Sequence, residues 1–172
     1  MQINKFRLRL LMTLAGLAAA VAFVGLSSGQ ASADTRCSAA NGSQVERVQG
    51  KSGCGAKAGP NSRADSEDRS GAGTAVAIAA NRGQARALNL QPGSTALAGA
   101  NTGGNAYSVT TGPKALALAQ ATRGGTSVAI GGWGGQAMVG PAGAVCSGGF
   151  AAAVNTTTGK MCLHSGSIDY RN

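Results

Sequence analysis

The sequence is poor in the residues on which most enzymes and binding proteins depend. Aromatic side chains make up 3% of its 172 residues and charged side chains 12%, whereas glycine alone contributes 28 residues. A disordered polyelectrolyte would carry more charge, and an ordinary enzyme core would contain more bulky side chains. The composition therefore excludes both classes and is typical of one small domain with short appendages.

Residues for catalysis and metal binding are sparse as well. His164 is the only histidine, and the cysteines show no Cys-x-x-Cys spacing, so we expect no zinc site. His164 lies near Ser165 and Asp169, but no Gly-x-Ser-x-Gly motif supplies a nucleophile. Gly50-Lys51-Ser52 matches only the end of a phosphate-binding loop, because Val45 stands in place of its first glycine. We therefore predict no catalytic residue, no metal and no cofactor, and hence no enzyme.

The first 33 residues have the pattern of a secretory signal peptide. Three basic residues precede an uncharged apolar run over 10–26, and Ala31-Ser32-Ala33 presents small residues to a signal peptidase. The rival interpretation is an uncleaved anchor, because the run approaches the roughly 20 residues that span a bilayer. Its many alanines and glycines favour cleavage after Ala33. We expect a protein that is secreted or associated with the cell envelope, without stable membrane insertion.

The net charge of the chain indicates which kinds of partner it could bind. Without residues 1–33 the chain keeps 12 basic and 6 acidic residues, a net charge of +6. Such a surface adsorbs weakly to anionic envelope polymers or lipids. Nucleic acid is not expected, because the basic residues are scattered and few aromatic rings remain to stack on bases. The expected partner is an envelope polymer or protein, or a second copy of the chain.

The four cysteines all follow the predicted signal peptide: they are Cys37, Cys54, Cys146 and Cys162. An even number of cysteines in an exported chain predicts two disulfides, for which three connectivities are possible. The spacing favours Cys37 with Cys54 and Cys146 with Cys162, because each pair closes a short loop.

Composition divides the chain after residue 33 into four segments. Two disulfide segments enclose a repeat region, and a polar stretch of mixed charge separates the first of them from the repeats. We interpret that stretch as a linker or loop. The predicted boundaries are 34–58 for the N-terminal disulfide segment, 59–72 for the linker or loop, 73–143 for the repeat region, and 144–172 for the C-terminal closure and tail.

A glycine recurs about every ten residues in the repeat region, and a short apolar run follows nearly every one. In runs such as 75–79 and 115–119 large and small residues alternate, which is the period of a β-strand. Punctuation by glycine and proline excludes short unsupported helices. The predicted fold class is all-β: a Gly/Ala-rich short-strand repeat, either a thin β-solenoid with two runs per coil or a β-meander, closed at its ends by disulfides.

The same alternation gives the repeats two faces. Large residues such as Leu118 fall on one face, and Ala, Ser and Thr dominate the other. Because large aliphatic side chains contribute most on burial, we expect the large residues inside and a flat small-residue face outside. On this assignment Leu118→Asp unfolds the repeats and Ala117→Asp is tolerated.

Trp133 stands alone between two pairs of glycines. An exposed tryptophan is a common sugar-stacking residue or interface anchor, whereas a ring that folds back would cover the end of a thin core. Both interpretations are open at this point. Trp133 is the one possible binding residue that the sequence offers.

The paired cysteines at both ends, the Gly/Ala-rich strands between them and the closing run Ala-Val-Asn-Thr-Thr-Thr-Gly-Lys-Met-Cys at 153–162 resemble a family of small exported actinobacterial proteins of unknown function. The resemblance covers most of the chain after residue 33 and implies no activity. The rows Ala-Val-Ala-Ile-Ala and Ala-Leu-Ala-Leu-Ala are more loosely similar to the head repeats of trimeric autotransporter adhesins. This chain departs from those in its shorter rows and its disulfides.

Two functional hypotheses follow. The first is a secreted, non-catalytic structural or interaction protein of the cell envelope or extracellular space. The second is a ligand-binding module of the carbohydrate type that uses the flat Ala/Ser/Thr face and Trp133. A hydrolase ranks below both, because the clustered acids Asp65, Glu67 and Asp68 lie in the predicted linker.

Overall fold

A computed structural model describes residues 34–172, and the predicted signal peptide lies outside these residues. The described part is all-β: it contains strands and turns but no helix, and hence no helix that could cross a membrane. The strands are β1 Thr35–Ala40, β2 Gln44–Gln49, β3 Ser52–Ala58, β4 Arg63–Asp68, β5 Thr74–Ala79, β6 Gln84–Asn89, β7 Thr95–Ala100, β8 Asn105–Thr110, β9 Leu116–Ala121, β10 Thr126–Gly132, β11 Gln136–Gly140, β12 Gly143–Ser147, β13 Phe150–Asn155, β14 Lys160–Ser165 and β15 Ile168–Arg171.

Two sheets face each other. One has eight strands in the order β1-β4-β6-β8-β10-β13-β14-β15, and the other has seven in the order β12-β11-β9-β7-β5-β3-β2. In the middle of each sheet neighbouring strands are parallel, with Thr74 beside Thr95 and Gln84 beside Asn105. The chain therefore alternates between the sheets and makes one coil with every two strands. This is a β-solenoid of about four turns, so the solenoid prediction is confirmed and the meander of hairpins is wrong.

Antiparallel strands close both ends of the solenoid. At the N-terminal end β1 pairs with β4 and β2 with β3, and at the C-terminal end β12 pairs with β11 and β13 with β10. A disulfide lies at each end and joins the two sheets: Cys37 of β1 bonds to Cys54 of β3, and Cys146 of β12 bonds to Cys162 of β14. The connectivity that the spacing favours is thus confirmed. Each bridge is worth about 3 kcal/mol in the loop-entropy model.

Alanine lines the interior. In β5 the side chains of Ala75, Ala77 and Ala79 are at most 1% exposed, whereas Val76 and Ile78 between them are only half-buried. Strands β7 and β9 repeat this pattern. The sequence-based assignment of faces is therefore wrong: the small residues point inward and the large ones point outward, so the exposed flat Ala/Ser/Thr face does not exist.

The separation of the two sheets explains this reversal. Ser108 Oγ of β8 donates a hydrogen bond across the gap to the carbonyl oxygen of Ala117 in β9, at 2.7 Å. Ser66 Oγ of β4 reaches the carbonyl oxygen of Gly55 in β3 in the same way, at 2.9 Å. A hydroxyl oxygen lies one bond beyond Cβ, so the gap holds little more than a layer of Cβ atoms. Sheets packed through larger side chains lie about 10 Å apart, and a leucine pointing inward here would overlap the opposite backbone.

Glycines mark turns where successive coils come close. A Cβ on Gly83 would lie 2.7 Å from the carbonyl oxygen of Ala100, and a Cβ on Gly104 would lie 2.7 Å from the carbonyl carbon of Ala121. Neither contact is possible for a real side chain. These two glycines are one coil apart, so the ten-residue recurrence in the sequence corresponds to half a coil.

The polar stretch 59–72 is not a linker. Its central residues form β4, which lies between β1 and β6 in the eight-stranded sheet. The inward side chains of β4 are Ala64, Ser66 and Asp68, all buried. The polar atoms of Ser66 and Asp68 form hydrogen bonds, so these residues can be buried. The polarity of the sequence alone does not predict this burial.

The observed faces reverse the expected effects of two substitutions. Ala117→Asp would place a carboxylate at a fully buried position opposite the other sheet, and it should lower the free energy of unfolding by about 3 kcal/mol or more. Leu118→Asp, on the outward side, should change it by less than about 1 kcal/mol. Denaturant unfolding followed by circular dichroism measures both. A stable Ala117→Asp protein beside an unfolded Leu118→Asp protein would contradict the structure.

Candidate functional site

Trp133 lies in the turn between β10 and β11 and is 69% exposed. Its φ of +47° falls in the left-handed region that bulky residues rarely adopt. The next residue, Gly134, donates its N–H to the carbonyl oxygen of Pro113 at 2.8 Å, so this turn stacks on the turn of the preceding coil. Of the two interpretations of Trp133, the one in which the ring covers the core is wrong. The ring is presented to solvent at the edge of the solenoid, in a turn that joins the two sheets.

The outward side of the seven-stranded sheet is uncharged over five consecutive strands, β5, β7, β9, β11 and β12; we call these outward residues the apolar face. Its central row runs across all five strands through lateral neighbours: Val76, Leu97, Leu118, Met138 and Val145. Ile78 and Leu116 flank the row. The other outward residues are small or uncharged: Thr74, Thr95, Gly99, Gln120, Gln136, Gly140, Gly143 and Ser147. Met138 is 36% and Val145 45% exposed.

Basic side chains border this face. From residue 69 to residue 168 the chain contains no Asp or Glu. Exposed basic residues lie in the turns along both long edges and on the adjoining strand β3: Arg82, Arg123, Lys114 and Lys57. None of the four takes part in an ion pair within the described part of the chain. Sequence reasoning missed this arrangement because it regarded the basic residues as scattered, although the acid-free stretch was visible.

The acidic side chain nearest to the apolar face, counted from strand to strand across the sheet, lies on the end strand β2. Glu46 of β2 lies beside Gly55 of β3, which lies beside Val76 of β5. Gln44 donates a hydrogen bond to Glu46 at 2.6 Å. Negative charge is therefore confined to the N-terminal end of this sheet.

The outward side of the eight-stranded sheet is different. Its N-terminal strands carry both signs of charge: Arg63 pairs with Asp65 at 2.7 Å, and Arg69 pairs with Glu67 at 2.6 Å. Its other five strands, β8, β10, β13, β14 and β15, carry no charge on the outside. The exposed large side chains there are Tyr107, Met161, Leu163, Ile168 and Tyr170. Arg36 of β1 and Arg86 of β6 also lie on this outward side without ion pairs among the described residues, so this side combines a half of mixed charge with an apolar half.

Asp68 is a fully buried carboxylate that forms no ion pair with a basic residue in the described part of the chain. Its Oδ2 accepts hydrogen bonds from Ser52 Oγ at 2.5 Å and from the N–H of Gly73 at 3.0 Å. Its Oδ1 accepts from Ser70 Oγ at 2.6 Å and from Asn89 Nδ2 at 2.7 Å. Burial raises the pKa of Asp68, but these donors outweigh it, and the pKa lies below its ordinary value of 3.8. With its acceptor sites used in this way, Asp68 anchors the turn after β4.

The other sequence motifs also have structural positions. Ser52, at the end of the Gly50-Lys51-Ser52 motif, is buried against Asp68. His164 lies on β14, where its Nδ1 is 3.8 Å from Asp169 Oδ2 and has no hydrogen-bond partner among the described residues. Asp169 pairs with Arg171 instead, at 3.2 Å. No group of three or more His, Cys, Asp or Glu in the described part of the chain is placed to hold a metal ion.

The fold therefore defines a thin two-sheet β-solenoid with an alanine interior and a disulfide between the sheets at each end. The chain belongs to the family of unknown function DUF6764, whose model matches residues 3–165. This agrees with the resemblance to a family without an assigned activity. The comparisons found no significant match among curated proteins or solved structures.

Asp68 makes stability depend on pH. Because the pKa in the folded state lies below the ordinary value of 3.8, the carboxylate stabilises the native protein above that value. The contribution is lost as the pH falls through the folded pKa. Asp68→Asn should abolish this acid-dependent loss and lower stability at neutral pH by about 2 kcal/mol, because its amide would turn a donor toward other donors. Thermal unfolding from about pH 2 to 7 measures both effects.

Asp65→Asn is the matched control. Burial raises the pKa of Asp65, whereas hydrogen bonds from Arg63 and Ser38 lower it, with a net decrease. Its partner Arg63 is exposed, so solvent screening keeps the effect small. An Asp68→Asn protein with the pH dependence of the wild type would contradict the role assigned to this carboxylate.

Proposed function

We propose that the chain is a secreted, non-catalytic interaction protein of the cell envelope or extracellular space, and that its contact surface is the apolar face. Disulfides persist in oxidising compartments, and the signal-peptide pattern of residues 1–33 would supply export. The observation that carries the proposal is the row of large side chains along the seven-stranded sheet. It runs unbroken over five strands without one charge.

The interior cannot take these side chains, because the gap between the sheets holds mostly Cβ-sized groups and Val139 is its largest aliphatic side chain among the described residues. Leu97, Leu118 and Met138 consequently remain at the surface whether or not a partner is present. Burial of apolar surface by a partner is worth about 25 cal/mol per Å². Because regular strands already fix the positions of this row, binding a partner would cost little conformational entropy. A rigid apolar surface of this kind is typical of an interaction site.

Retention on purified envelope fractions tests this proposal. The oxidised protein is purified from the medium. Its intact mass should correspond to a chain that begins at Asp34 and has no free thiol. It is then applied to polysaccharide, lipid and protein fractions of its host. The wild type should be retained on at least one fraction. The double variant Leu97→Asn/Leu118→Asn should be retained about tenfold less, because it removes two apolar contacts from the centre of the row.

The matched control is Val109→Asn/Val128→Asn, at half-buried outward positions of the eight-stranded sheet. Its retention should equal that of the wild type. If the folded wild type bound none of the fractions, the proposal would be wrong. If the two double variants lost retention equally, the apolar face would not be the contact surface.

A second candidate function is carbohydrate binding at Trp133. The small-residue face once expected to share this role lines the interior, but the exposed ring remains. The positive φ of Trp133 is shared by Thr102, Lys114 and Arg123 in other turns, so the exposure of the large ring carries this candidate. Aromatic rings provide flat apolar surface for recognition.

Trp133 is the only tryptophan, so its fluorescence reports on this candidate directly. Binding of an envelope polysaccharide should shift the emission to shorter wavelength, and Trp133→Ala should lose retention on polysaccharide alone. Emission unchanged by a polysaccharide that retains the protein would exclude the ring from the contact.

A further inference from the structure

We infer that the apolar face docks on an anionic lipid surface, with the seven-stranded sheet lying flat on the interface. The inference rests on the proposed function and names the partner of the same face. It depends on three observations: the uncharged centre of the face, the position of Trp133, and the unpaired basic residues at the border of the face. We call these residues, Arg82, Arg123, Lys114 and Lys57, the basic rim.

The charges match such a surface. The outward residues of β5, β7, β9, β11 and β12 are uncharged, while Arg82, Arg123 and Lys114 in the edge turns and Lys57 on β3 border them without ion pairs among the described residues. An anionic lipid surface offers an apolar layer beneath negative headgroups. Apolar side chains would enter the boundary of the acyl layer while the basic rim contacts the headgroups.

Trp133 and Lys114 occupy adjacent turns on the same edge of the solenoid. The hydrogen bond from Gly134 to Pro113 joins these two turns, and both Trp133 and Lys114 are exposed. Tryptophan is enriched at the headgroup level of membranes, where its ring meets both apolar and polar surroundings. A lipid partner therefore accounts for a large exposed ring beside a basic side chain.

A second copy of the chain fits the face less well. Five strands about 4.8 Å apart, with about five residues of 3.3 Å each, give a footprint near 400 Å². A standard interface buries about 800 Å² per partner. Two copies placed face to face would also bring their basic rims together, with Glu46 at the end strand as the one acidic side chain on this side. A lipid surface has neither restriction.

The opposite side of the solenoid is the natural comparison. Its N-terminal half carries two acidic side chains, Asp65 and Glu67, which pair with Arg63 and Arg69. Negative side chains there would meet negative headgroups. Among the described residues the outward side of the seven-stranded sheet has one acidic side chain, Glu46 on its end strand, so this side is assigned to the lipid, and positions on the eight-stranded sheet provide matched controls.

Flotation with lipid vesicles tests the inference. The full mature protein is mixed with vesicles of phosphatidylcholine alone or with phosphatidylglycerol at a third of the lipid. The protein should bind the anionic vesicles at least tenfold more tightly, binding should weaken with added salt, and Trp133 emission should shift to shorter wavelength on binding.

Paired variants locate the contact. Arg123→Gln should weaken binding about fivefold, the effect of one basic charge near an anionic surface, whereas Arg86→Gln on the eight-stranded sheet should leave it unchanged. Leu97→Asn/Leu118→Asn should weaken it at least tenfold, and Val109→Asn/Val128→Asn should not. Circular dichroism confirms that each variant is folded.

Several outcomes would overturn the inference. Equal binding to both vesicle types, or equal effects of Arg123→Gln and Arg86→Gln, would exclude docking by this face. Retention on polysaccharide or protein without vesicle binding would overturn the lipid partner and leave the proposed function standing. Failure to bind any vesicle or envelope fraction would overturn both. A dimer that Leu97→Asn/Leu118→Asn dissociates would assign the face to a second copy.

Discussion

The narrow gap between the two sheets is the constraint on which the structure depends. Serine hydroxyls on one sheet reach backbone carbonyls of the other, as Ser108 reaches Ala117, so each inward position has room for little beyond Cβ. Alanine occupies these positions because it fits the gap. Its small apolar surface contributes little per residue, and stability comes from many repeats of the same contact together with the backbone ladders of the parallel strands.

The other features follow from this gap. Cysteine is only slightly larger than alanine, and all four cysteines are buried in the same inward rows, where they join the sheets at both ends. Asp68 and Asn89 are longer, but they lie where the chain turns and bond to each other and to the turn. Val139 is the largest buried aliphatic side chain, and no leucine, isoleucine or methionine of the described residues is buried. The fold therefore creates an apolar exterior on the central strands of the seven-stranded sheet, and the basic residues of the described part of the chain lie in the turns and on β1, β2, β3, β4, β6, β14 and β15.

Much of the architecture could be predicted from the sequence, but the direction of the side chains could not. The period of two, the glycine punctuation and the even cysteines indicate short strands closed by disulfides. Side-chain volume decides which residues point inward. A ranking by hydrophobicity would place Leu97 inside, but the narrow gap between the sheets has room only for Ala96. One signal pointed the other way, because the small position of β5, β7 and β9 is always alanine, while the large position varies. A position limited by space tolerates less variation than one that faces solvent.

The candidate surface was harder to predict than the fold. Trp133 was recognisable from its isolation, but its exposure depends on a turn stacked on the preceding coil, which the sequence does not specify. The basic rim needs the coil geometry too, because Arg82 and Arg123 are distant in sequence and share an edge only when successive coils stack. The linker prediction failed for a related reason, since the polar residues of β4 bond to neighbouring strands and turns instead of to water.

Thiol accessibility measures the central claim, that alanine points inward, most directly. All native cysteines are in disulfides, so a single introduced cysteine is the only free thiol, and cysteine already occupies inward rows without disrupting them. In the folded protein Leu97→Cys should react readily with a maleimide, whereas Ala96→Cys should react only after unfolding. Rapid labelling of Ala96→Cys in the folded state, with protection of Leu97→Cys, would contradict the account.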